Sequence, residues 1–235
     1  MASIANPEKK SLRVLLTGFG GFKGMKTNPS WLAAKPLDNE TLIFTKPAEP
    51  GHPHSPKSPH VEIEAHISAL EIPTSYSAVL STIPPLHASN QYDTILHLGV
   101  GNTGGFLVER LAHKTGYNKP DAEDRLCDPV DGNPNAERGF GRGFEQFGEE
   151  LSTDVDVDGV VGHLKSKGLV HTSPSDDAGR YLCGFIYFCS LACAQKEGRK
   201  IKVLFMHVPL IGLPYEVEDM TKAAEGVIEY LALDA

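Results

Sequence analysis

The amino-acid sequence predicts an α/β domain built on a twisted, mainly parallel central sheet. The chain has 235 residues, of which 40% are hydrophobic, so it is long enough to bury one large core. Short apolar runs alternate along it with longer amphipathic segments, an order typical of parallel strands connected by helices. The composition is that of an ordinary globular protein, which excludes a wholly disordered chain and a fibrous repeat.

The first third of the chain is predicted to hold two strands and a helix start. Residues 12–17, LRVLLT, form an apolar run that ends at Gly18 and predicts a buried strand. A glycine-rich loop follows, and the NPS sequence at 28–30 indicates the start of a helix. Residues 61–70, VEIEAHISAL, alternate apolar and polar side chains, which predicts an edge or half-buried strand.

The remaining elements are two strands and four helices. Buried strands are predicted over 93–100 and 201–208, the second being the clearest central strand of the chain. The helix predicted over 75–89 contains the Pro84-Pro85 pair. These prolines should break or kink it, because each removes a backbone hydrogen bond and crowds the preceding turn. The other three helices are predicted over 154–167, 180–197 and 216–233.

Two segments interrupt the single domain expected over residues 1–235. Residues 46–60, KPAEPGHPHSPKSPH, carry a proline at every third position, the repeat of a polyproline II helix. A solvated insertion loop is favoured here over a docking segment or a histidine-rich metal site, because such composition is non-specific. Residues 131–150 are rich in Gly, Asn and Glu and predict an irregular surface excursion.

Charge and cysteine content narrow the function classes. The formal net charge is −8 and no basic block is present, so neither a nucleic acid nor an anionic membrane surface is an expected partner. No apolar run approaches the roughly 18 residues that a membrane helix needs. The polar N-terminus does not resemble a signal peptide. Four cysteines make no disulfide framework, so a cytoplasmic, reducing location is expected.

A glycine pattern at 99–104 matches the dinucleotide-binding fingerprint in its spacing alone. Gly99, Gly101 and Gly104 follow a predicted strand, and the next residues could be drawn as a helix. The fingerprint also requires a second strand that ends in an acidic residue about 20 positions later. The corresponding region, KTGYNKPDAEDR, has acidic residues but no strand, so nucleotide binding is disfavoured.

Cys183 and His207 are the residues most suited to chemistry. Cys183 lies in the first turn of a predicted helix, where the helix dipole favours the thiolate. His207 ends the clearest strand, and catalytic groups of open α/β sheets gather at the carboxyl ends of strands. A neighbouring Cys and His are the minimum for thiol catalysis. Glu109, in an apolar setting, is a candidate for orienting the imidazole, with a surface carboxylate as the alternative.

Five blocks of sequence resemble the pyroglutamyl-peptidase I family and occur in the family's order. DAGRYLC and MHVPLIGLPY are together specific, whereas either alone would be weaker. The resemblance extends over residues 12–233. The chain departs from the family at Gly184, where relatives usually have Asp or Asn. The blocks are TGFGGF (17–22), NPSW (28–31), LVERLAHKTGY (107–117), DAGRYLC (177–183) and MHVPLIGLPY (206–215).

The resemblance implies a three-layer α/β/α sandwich and a cysteine peptidase that removes an N-terminal 5-oxoproline from peptides. It implies a catalytic triad of Cys183 as nucleophile, His207 as base and Glu109 as orienting acid. Phe19 and Phe22 would wall the oxoproline ring, and Asn28 matches the family's loop asparagine. No metal or cofactor is implied.

Two other functions remain open at this point. One is a related amide hydrolase that acts on another cyclic or capped N-terminus. The other is a catalytically weak or inactive pseudo-peptidase that binds pyroglutamyl peptides or a protein partner.

Overall fold

The fold was determined as a computed structural model, which describes residues 8–22, 24–47, 60–101, 104–198 and 200–234. Its strands are β1 (Glu8–Phe19), β2 (Thr41–Pro47), β3 (His60–Ile72), β4 (Thr94–Val100), β5 (Phe106–Glu109), β6 (Leu111–His113), β7 (Glu150–Ser152), β8 (Thr172–Ser175) and β9 (Lys202–Val208). Its helices are α1 (Pro29–Ala34), α2 (Tyr76–Ala88), α3 (Val157–Ser166), α4 (Leu182–Glu197) and α5 (Val217–Leu233).

Seven strands form one sheet in the order β2-β3-β1-β4-β9-β5-β8. The ladders β1–β3, β1–β4, β4–β9 and β5–β8 are parallel, which confirms the mainly parallel sheet. Two ladders are antiparallel, β2–β3 at one end and β5–β9 in the interior. The reversal at β5 brings the end of that strand back beside the middle of β9. Strands β6 and β7 pair separately.

Helices cover both faces of the sheet and complete three layers. The apolar faces of α1, α3 and α5 share one core cluster, for example through Ala33, Val160 and Val227. Those of α2 and α4 share the other, for example through Val79 and Ile186. The three-layer α/β/α sandwich expected from the family resemblance is therefore confirmed.

The segment predicted over 61–70 to be an edge or half-buried strand is half-buried, with one face buried, and is not an edge strand. It is part of β3, which lies between β2 and β1 and is bonded on both sides. The edge position belongs to β2, which the sequence analysis did not predict. Thr41–Pro47 has only seven residues, all of them exposed or half-buried, so it has no buried apolar run to signal a strand.

The prolines at 84 and 85 do not break α2, contrary to one of the two predicted outcomes. The helix continues from Tyr76 to Ala88 with both prolines inside it. Proline has no backbone N–H, so the carbonyl groups of Leu80 and Ser81, four residues earlier, have no donor within the helix. Both residues are exposed on the outer side of the helix. Water can satisfy their carbonyl groups there, while the buried side of the helix keeps its packing on the core.

The segment that follows β6 contains turns and isolated bridges until β7 begins. It packs over the outer side of α4, where the ring of Phe140 stacks on Phe185 at 4.1 Å between centroids. Twelve of the 16 residues of α4 are buried. The proline-rich prediction falls mainly on residues 48–59, which lie outside the described residues. No helix in the described part of the chain is long and apolar enough to cross a membrane.

Candidate active site

The site lies where the carboxyl ends of β4 and β9 meet the start of α4. Gly99 pairs with His207 in the parallel β4–β9 ladder. A side chain at position 99 would have no space, because its Cβ would lie 2.7 Å from the Cys183 sulfur and 2.6 Å from the Phe205 ring. Gly99 therefore allows the Cys183 sulfur to rest directly on the sheet. This packing, and not phosphate binding, accounts for the first glycine of the 99–104 pattern.

The pattern at 99–104 also fails its structural requirement. The residues after Gly104 form β5, not the helix whose N-terminus would hold a pyrophosphate. The backbone N–H of Gly101 instead donates a hydrogen bond to the carbonyl of Val208. A Cβ at position 101 would lie 3.2 Å from the Cβ of His207.

Glu109 and His207 form a buried hydrogen-bonded pair. The antiparallel β5–β9 ladder pairs Glu109 with Phe205, so Glu109 and His207 lie on the same face of the sheet. His207 Nδ1 lies 2.8 Å from Glu109 Oε1. Glu109 is fully buried and His207 is 8% exposed. The alternative of a surface carboxylate at Glu109 is thus wrong.

The second oxygen of Glu109 is buried and has no hydrogen-bond partner among the described residues. The backbone carbonyl of Glu109 accepts a hydrogen bond from the Tyr187 hydroxyl at 3.0 Å. Tyr187 lies on α4, so the helix that carries Cys183 also holds the strand that carries Glu109.

Cys183 lies in the first turn of α4, as predicted, and is half-buried. Tyr181 is the N-cap, with an extended backbone and no capping hydrogen bond from its side chain. The first N–H groups of a helix have no partner within the helix, and they carry its partial positive charge. Cys183 therefore stands at a position suited to a negative sulfur.

His207 has a strongly altered acidity. Burial disfavours the charged ring, but the negative charge of Cys183, its hydrogen bond and the Glu109 carboxylate together raise the pKa of His207 to about 10. Since Nδ1 contacts Glu109, Nε2 is left for the sulfur. The arrangement can hold a thiolate and an imidazolium side by side.

The other three cysteines are buried and lie away from this histidine–glutamate pair. Burial raises the pKa of Cys127 to about 12. A hydrogen bond to Cys193, together with burial, raises the pKa of Cys189. Both therefore favour the unreactive thiol form.

The glycine-rich loop after β1 lies beside Tyr181, two residues before Cys183, and the aromatic residues Phe19 and Phe22 differ in exposure. Phe22 is half-buried, and its ring lies 6.2 Å from that of Tyr181. Phe19 is only 2% exposed and belongs to the core cluster. Tyr181 was missed by the sequence analysis, although an aromatic residue two positions before a candidate nucleophile was a usable signal.

Asn28 is buried and holds the loop by its side chain. Asn28 is the N-cap of α1, and its Oδ1 accepts hydrogen bonds from the backbone N–H and the hydroxyl of Ser30. Its Nδ2 donates to the carbonyl of Gly20 at 3.3 Å. Asn28 therefore lies on the buried side of the loop, where its hydrogen bond to Gly20 fixes the backbone two residues before Phe22.

Gly184 has a packing reason to be glycine. A Cβ at this position would lie 2.0 Å from the carbonyl oxygen of Gly179 and 3.4 Å from the Tyr117 hydroxyl. Gly179 itself has a φ of +79°, a left-handed conformation that favours glycine. The loop before α4 is folded so closely onto the first turn that the Asp or Asn of relatives would not fit here.

A family model described as pyroglutamyl peptidase matches residues 57–227. Human Pyroglutamyl-peptidase 1 is 30% identical to this chain over 224 residues, which cover 94% of this chain and 90% of the human protein. The chain belongs to the pyroglutamyl peptidase family. The resemblance expected from the five sequence blocks is therefore confirmed, and the family is one of peptidases.

More distant pyroglutamyl peptidases are also similar to this chain in sequence or in fold. Pyrrolidone-carboxylate peptidase of Thermococcus kodakarensis is 27% identical over 209 residues, 84% of this chain and 81% of that protein. The solved structure of Pyroglutamyl Peptidase I from Bacillus amyloliquefaciens superposes with a TM-score of 0.72 at 22% identity, covering 94% of this chain and 97% of that one. Pyrrolidone carboxyl peptidase of Fervidobacterium islandicum gives 0.71 at 26% identity, with 94% and 98% covered.

Proposed function

We propose that this protein is a cysteine exopeptidase that removes an N-terminal pyroglutamyl (5-oxoproline) residue from small peptides. One observation carries the proposal: His207 lies between the Cys183 sulfur and the buried Glu109 carboxylate, which it contacts at 2.8 Å. This is the order of nucleophile, base and orienting acid that acyl transfer requires.

The Cys183 thiolate attacks the acyl carbon of the pyroglutamyl residue and forms a carbon–sulfur bond. As the carbon–nitrogen bond of the scissile amide breaks, the His207 imidazolium gives its proton to the leaving amine. Water then attacks the thioester and loses a proton to His207. Pyroglutamate leaves and the thiolate returns, so the cycle requires neither a metal nor a cofactor.

Two features support stabilisation of the charges that form. The first N–H groups of α4 have no partner within the helix, so they can stabilise the acyl oxygen when it becomes an oxyanion. Glu109 stabilises the imidazolium and orients the ring, because its buried carboxylate lies 2.8 Å from Nδ1.

The pocket for the oxoproline ring is assigned to the loop that follows β1. Phe22 and Tyr181 supply aromatic walls, and the buried Phe19 closes the inner end. Asn28 acts through the Gly20 carbonyl, which it orients beside the ring. The lactam offers one N–H and one carbonyl, so backbone groups of the loop can pair with both.

The pseudo-peptidase alternative has no specific observation in its favour. The departure from the family at Gly184 does not favour it, because the close approach of the Gly179 carbonyl accounts for that glycine by packing. A cytoplasmic location is proposed as well, because a thiolate nucleophile is preserved where thiols stay reduced. Neither a nucleic acid nor a membrane is proposed as a partner.

A panel of three coumarin amides tests the activity. The purified protein is expected to cleave pyroglutamyl-coumarin and to leave prolyl- and glutamyl-coumarin intact. Proline lacks the lactam carbonyl and brings a charged amine, so a site built to bond the lactam rejects it by roughly 10⁴-fold. Iodoacetamide should abolish the activity and a metal chelator should not.

Cys183→Ala is the control for contaminating peptidases and should show no turnover. Comparable rates on the prolyl and pyroglutamyl substrates would contradict the pocket and favour a broader amidase. No cleavage of any substrate by a folded, reduced protein would leave only binding.

A further inference from the structure

A loop with no assigned role, residues 118–125, holds Tyr181 of the site and its neighbour Tyr76 by hydrogen bonds. The Tyr76 hydroxyl donates to the Lys119 carbonyl at 2.9 Å. The Tyr181 hydroxyl donates to the Pro120 carbonyl at 3.2 Å. The rings of Tyr76 and Tyr181 also contact edge to face, with 6.3 Å between centroids. The position of Tyr181 therefore depends on where this loop lies.

Asp121 is the residue that fixes this loop to the body of the protein. Its carboxylate is 1% exposed. One oxygen accepts the backbone N–H groups of Glu123 at 2.9 Å and Arg125 at 3.0 Å. The other accepts the N–H of Tyr76 at 3.2 Å.

The bond to Tyr76 also completes the start of α2. The N-cap of that helix is Ser75, whose side chain makes no capping hydrogen bond. A first-turn N–H of a helix needs an acceptor from outside the helix. Asp121 supplies it from a distant part of the chain, so the carboxylate caps the helix and anchors the loop at the same time.

The same connection reaches the opposite wall of the pocket. The N–H of Ala122 bonds to the Thr74 carbonyl at 3.0 Å. The Thr74 hydroxyl bonds in turn to the Gly20 carbonyl at 3.0 Å, the atom that Asn28 also holds. Gly20 precedes Phe22 by two residues, so both aromatic walls are connected to the segment that Asp121 fixes.

We propose that Asp121 is a positioning residue that sets the distance between the two aromatic walls of the pyroglutamyl pocket. It acts through Tyr181 on one side and the Gly20–Phe22 loop on the other. The inference rests on the proposed function for its substrate. It adds a residue that touches neither the substrate nor the triad but determines how tightly the ring is held.

Asp121→Asn is the direct test. The amide has one acceptor atom where the carboxylate has two, and its NH₂ group must face either the Tyr76 N–H or the pair from Glu123 and Arg125. One charge-assisted bond is therefore lost in a buried site. We expect KM for pyroglutamyl-coumarin to rise about tenfold, while kcat stays within about threefold because the triad does not move.

Asp156→Asn is the matched control. Asp156 caps α3 through Gly159, on the opposite face of the sheet, and its other carboxylate oxygen accepts the hydroxyl of Tyr230. It should lower the unfolding midpoint without changing KM. A merely structural role for Asp121 would make the two variants alike.

Hydrogen exchange supplies a readout that does not depend on activity. Peptides that cover 18–28 and 118–125 should exchange faster in Asp121→Asn than in the wild type, and should not change in Asp156→Asn. If Asp121→Asn does not fold, Tyr76→Phe removes another bond to the same loop and should shift KM and exchange in the same direction, by less.

The outcomes separate the two proposals. A wild-type protein that does not cleave the pyroglutamyl substrate overturns the proposed function, whereas the exchange experiment still tests the anchor. Unchanged KM and unchanged exchange in the folded Asp121→Asn variant, or in Tyr76→Phe where that variant does not fold, overturn the role of Asp121.

Discussion

At the scale of single residues, the charge on His207 is the central feature of the site. Desolvation alone would keep a nearly buried imidazole neutral. Cys183 on one side and Glu109 on the other reverse this preference and raise the pKa of His207 to about 10. The ring is therefore a proton donor at neutral pH, which is the form that a leaving amine requires.

This balance predicts how His207 titrates. Because the folded state raises its pKa, its contribution to the free energy of unfolding is complete below the ordinary value of about 6.5 and is lost as the pH rises through about 10. Cys183→Ala removes the negative sulfur, the larger of the two influences that oppose burial, so the pKa of His207 should fall below its wild-type value. Ring-proton NMR titration of both proteins measures this, and superimposable curves would exclude a charged sulfur beside the ring.

The second residue-scale prediction concerns thiol reactivity. Cys183 should react with iodoacetamide faster than Cys127, Cys189 and Cys193, because it is the half-buried thiol next to His207 and the others are buried. Peptide mapping after limited alkylation measures the order. First labelling at Cys127, with the activity intact, would refute Cys183 as nucleophile.

The third concerns the triad. His207→Ala should lower kcat by about 10⁴-fold, and Glu109→Gln by about 10²-fold, since an orienting acid contributes less than the base. Effects within such a unit are not additive, so the double variant should be little worse than His207→Ala. Circular dichroism checks the fold. A wild-type rate in folded Glu109→Gln would reduce Glu109 to a structural carboxylate.

At the scale of secondary-structure elements, the start of α4 determines where the nucleophile stands. The loop that ends at Tyr181 is folded back so that the Gly179 carbonyl lies against the Gly184 backbone. The helix has no side-chain cap, and this close contact packs the loop against its first turn. The contact between Gly179 and Gly184 thus helps to fix the distance between Cys183 and Gly99.

Gly184→Ala tests this contact. A Cβ placed 2.0 Å from the Gly179 oxygen must displace the loop, so the free energy of unfolding should fall by about 1–3 kcal/mol and kcat/KM should drop. The matched variant is Gly162→Ala, on the exposed side of α3, with no atom within 4 Å of the new methyl group. That change should stabilise the protein by about 0.5–1 kcal/mol. Chemical denaturation compares them, and equal effects would exclude the contact.

The elements also show which parts of the site a sequence can reveal. Cys183 and His207 could be singled out because each lies at the end of a long, strongly apolar element. β5 has only four residues, which is too short to be recognised as a strand in the sequence. Glu109 was therefore a candidate only because its neighbours are apolar. Asp121 could not be found, because its partners are backbone N–H groups, one of them 45 residues away.

At the scale of the whole molecule, the sheet places the two described ends of the proline-rich insertion, Pro47 and His60, at the end of β3 opposite to the site. The insertion connects β2 to β3 at the amino end of β3, whereas the site lies at the carboxyl ends of β4 and β9. Pro47 and His60 are paired across the β2–β3 ladder, so the two ends of the insertion are already adjacent.

Replacing residues 48–59 with a four-residue Gly-Ser linker should therefore preserve kcat/KM and the unfolding midpoint. A short linker spans paired strand ends, and closure entropy changes by only about 0.6 kcal/mol per doubling of loop length. Kinetics and thermal unfolding of the shortened chain measure both. Loss of folding would show that the insertion packs on the domain.

The position of β9 in the sheet has a consequence for the making of the protein. β9 is the last strand along the chain, yet it lies inside the sheet, between β4 and β5. Until the ribosome has added Val208, the nascent chain has neither of the two ladders that hold His207, and Glu109 has no imidazole to orient. Interior strands that arrive late leave their neighbours' edges open in the meantime. A peptidase assembled in this order stays inert until the ribosome has passed β9.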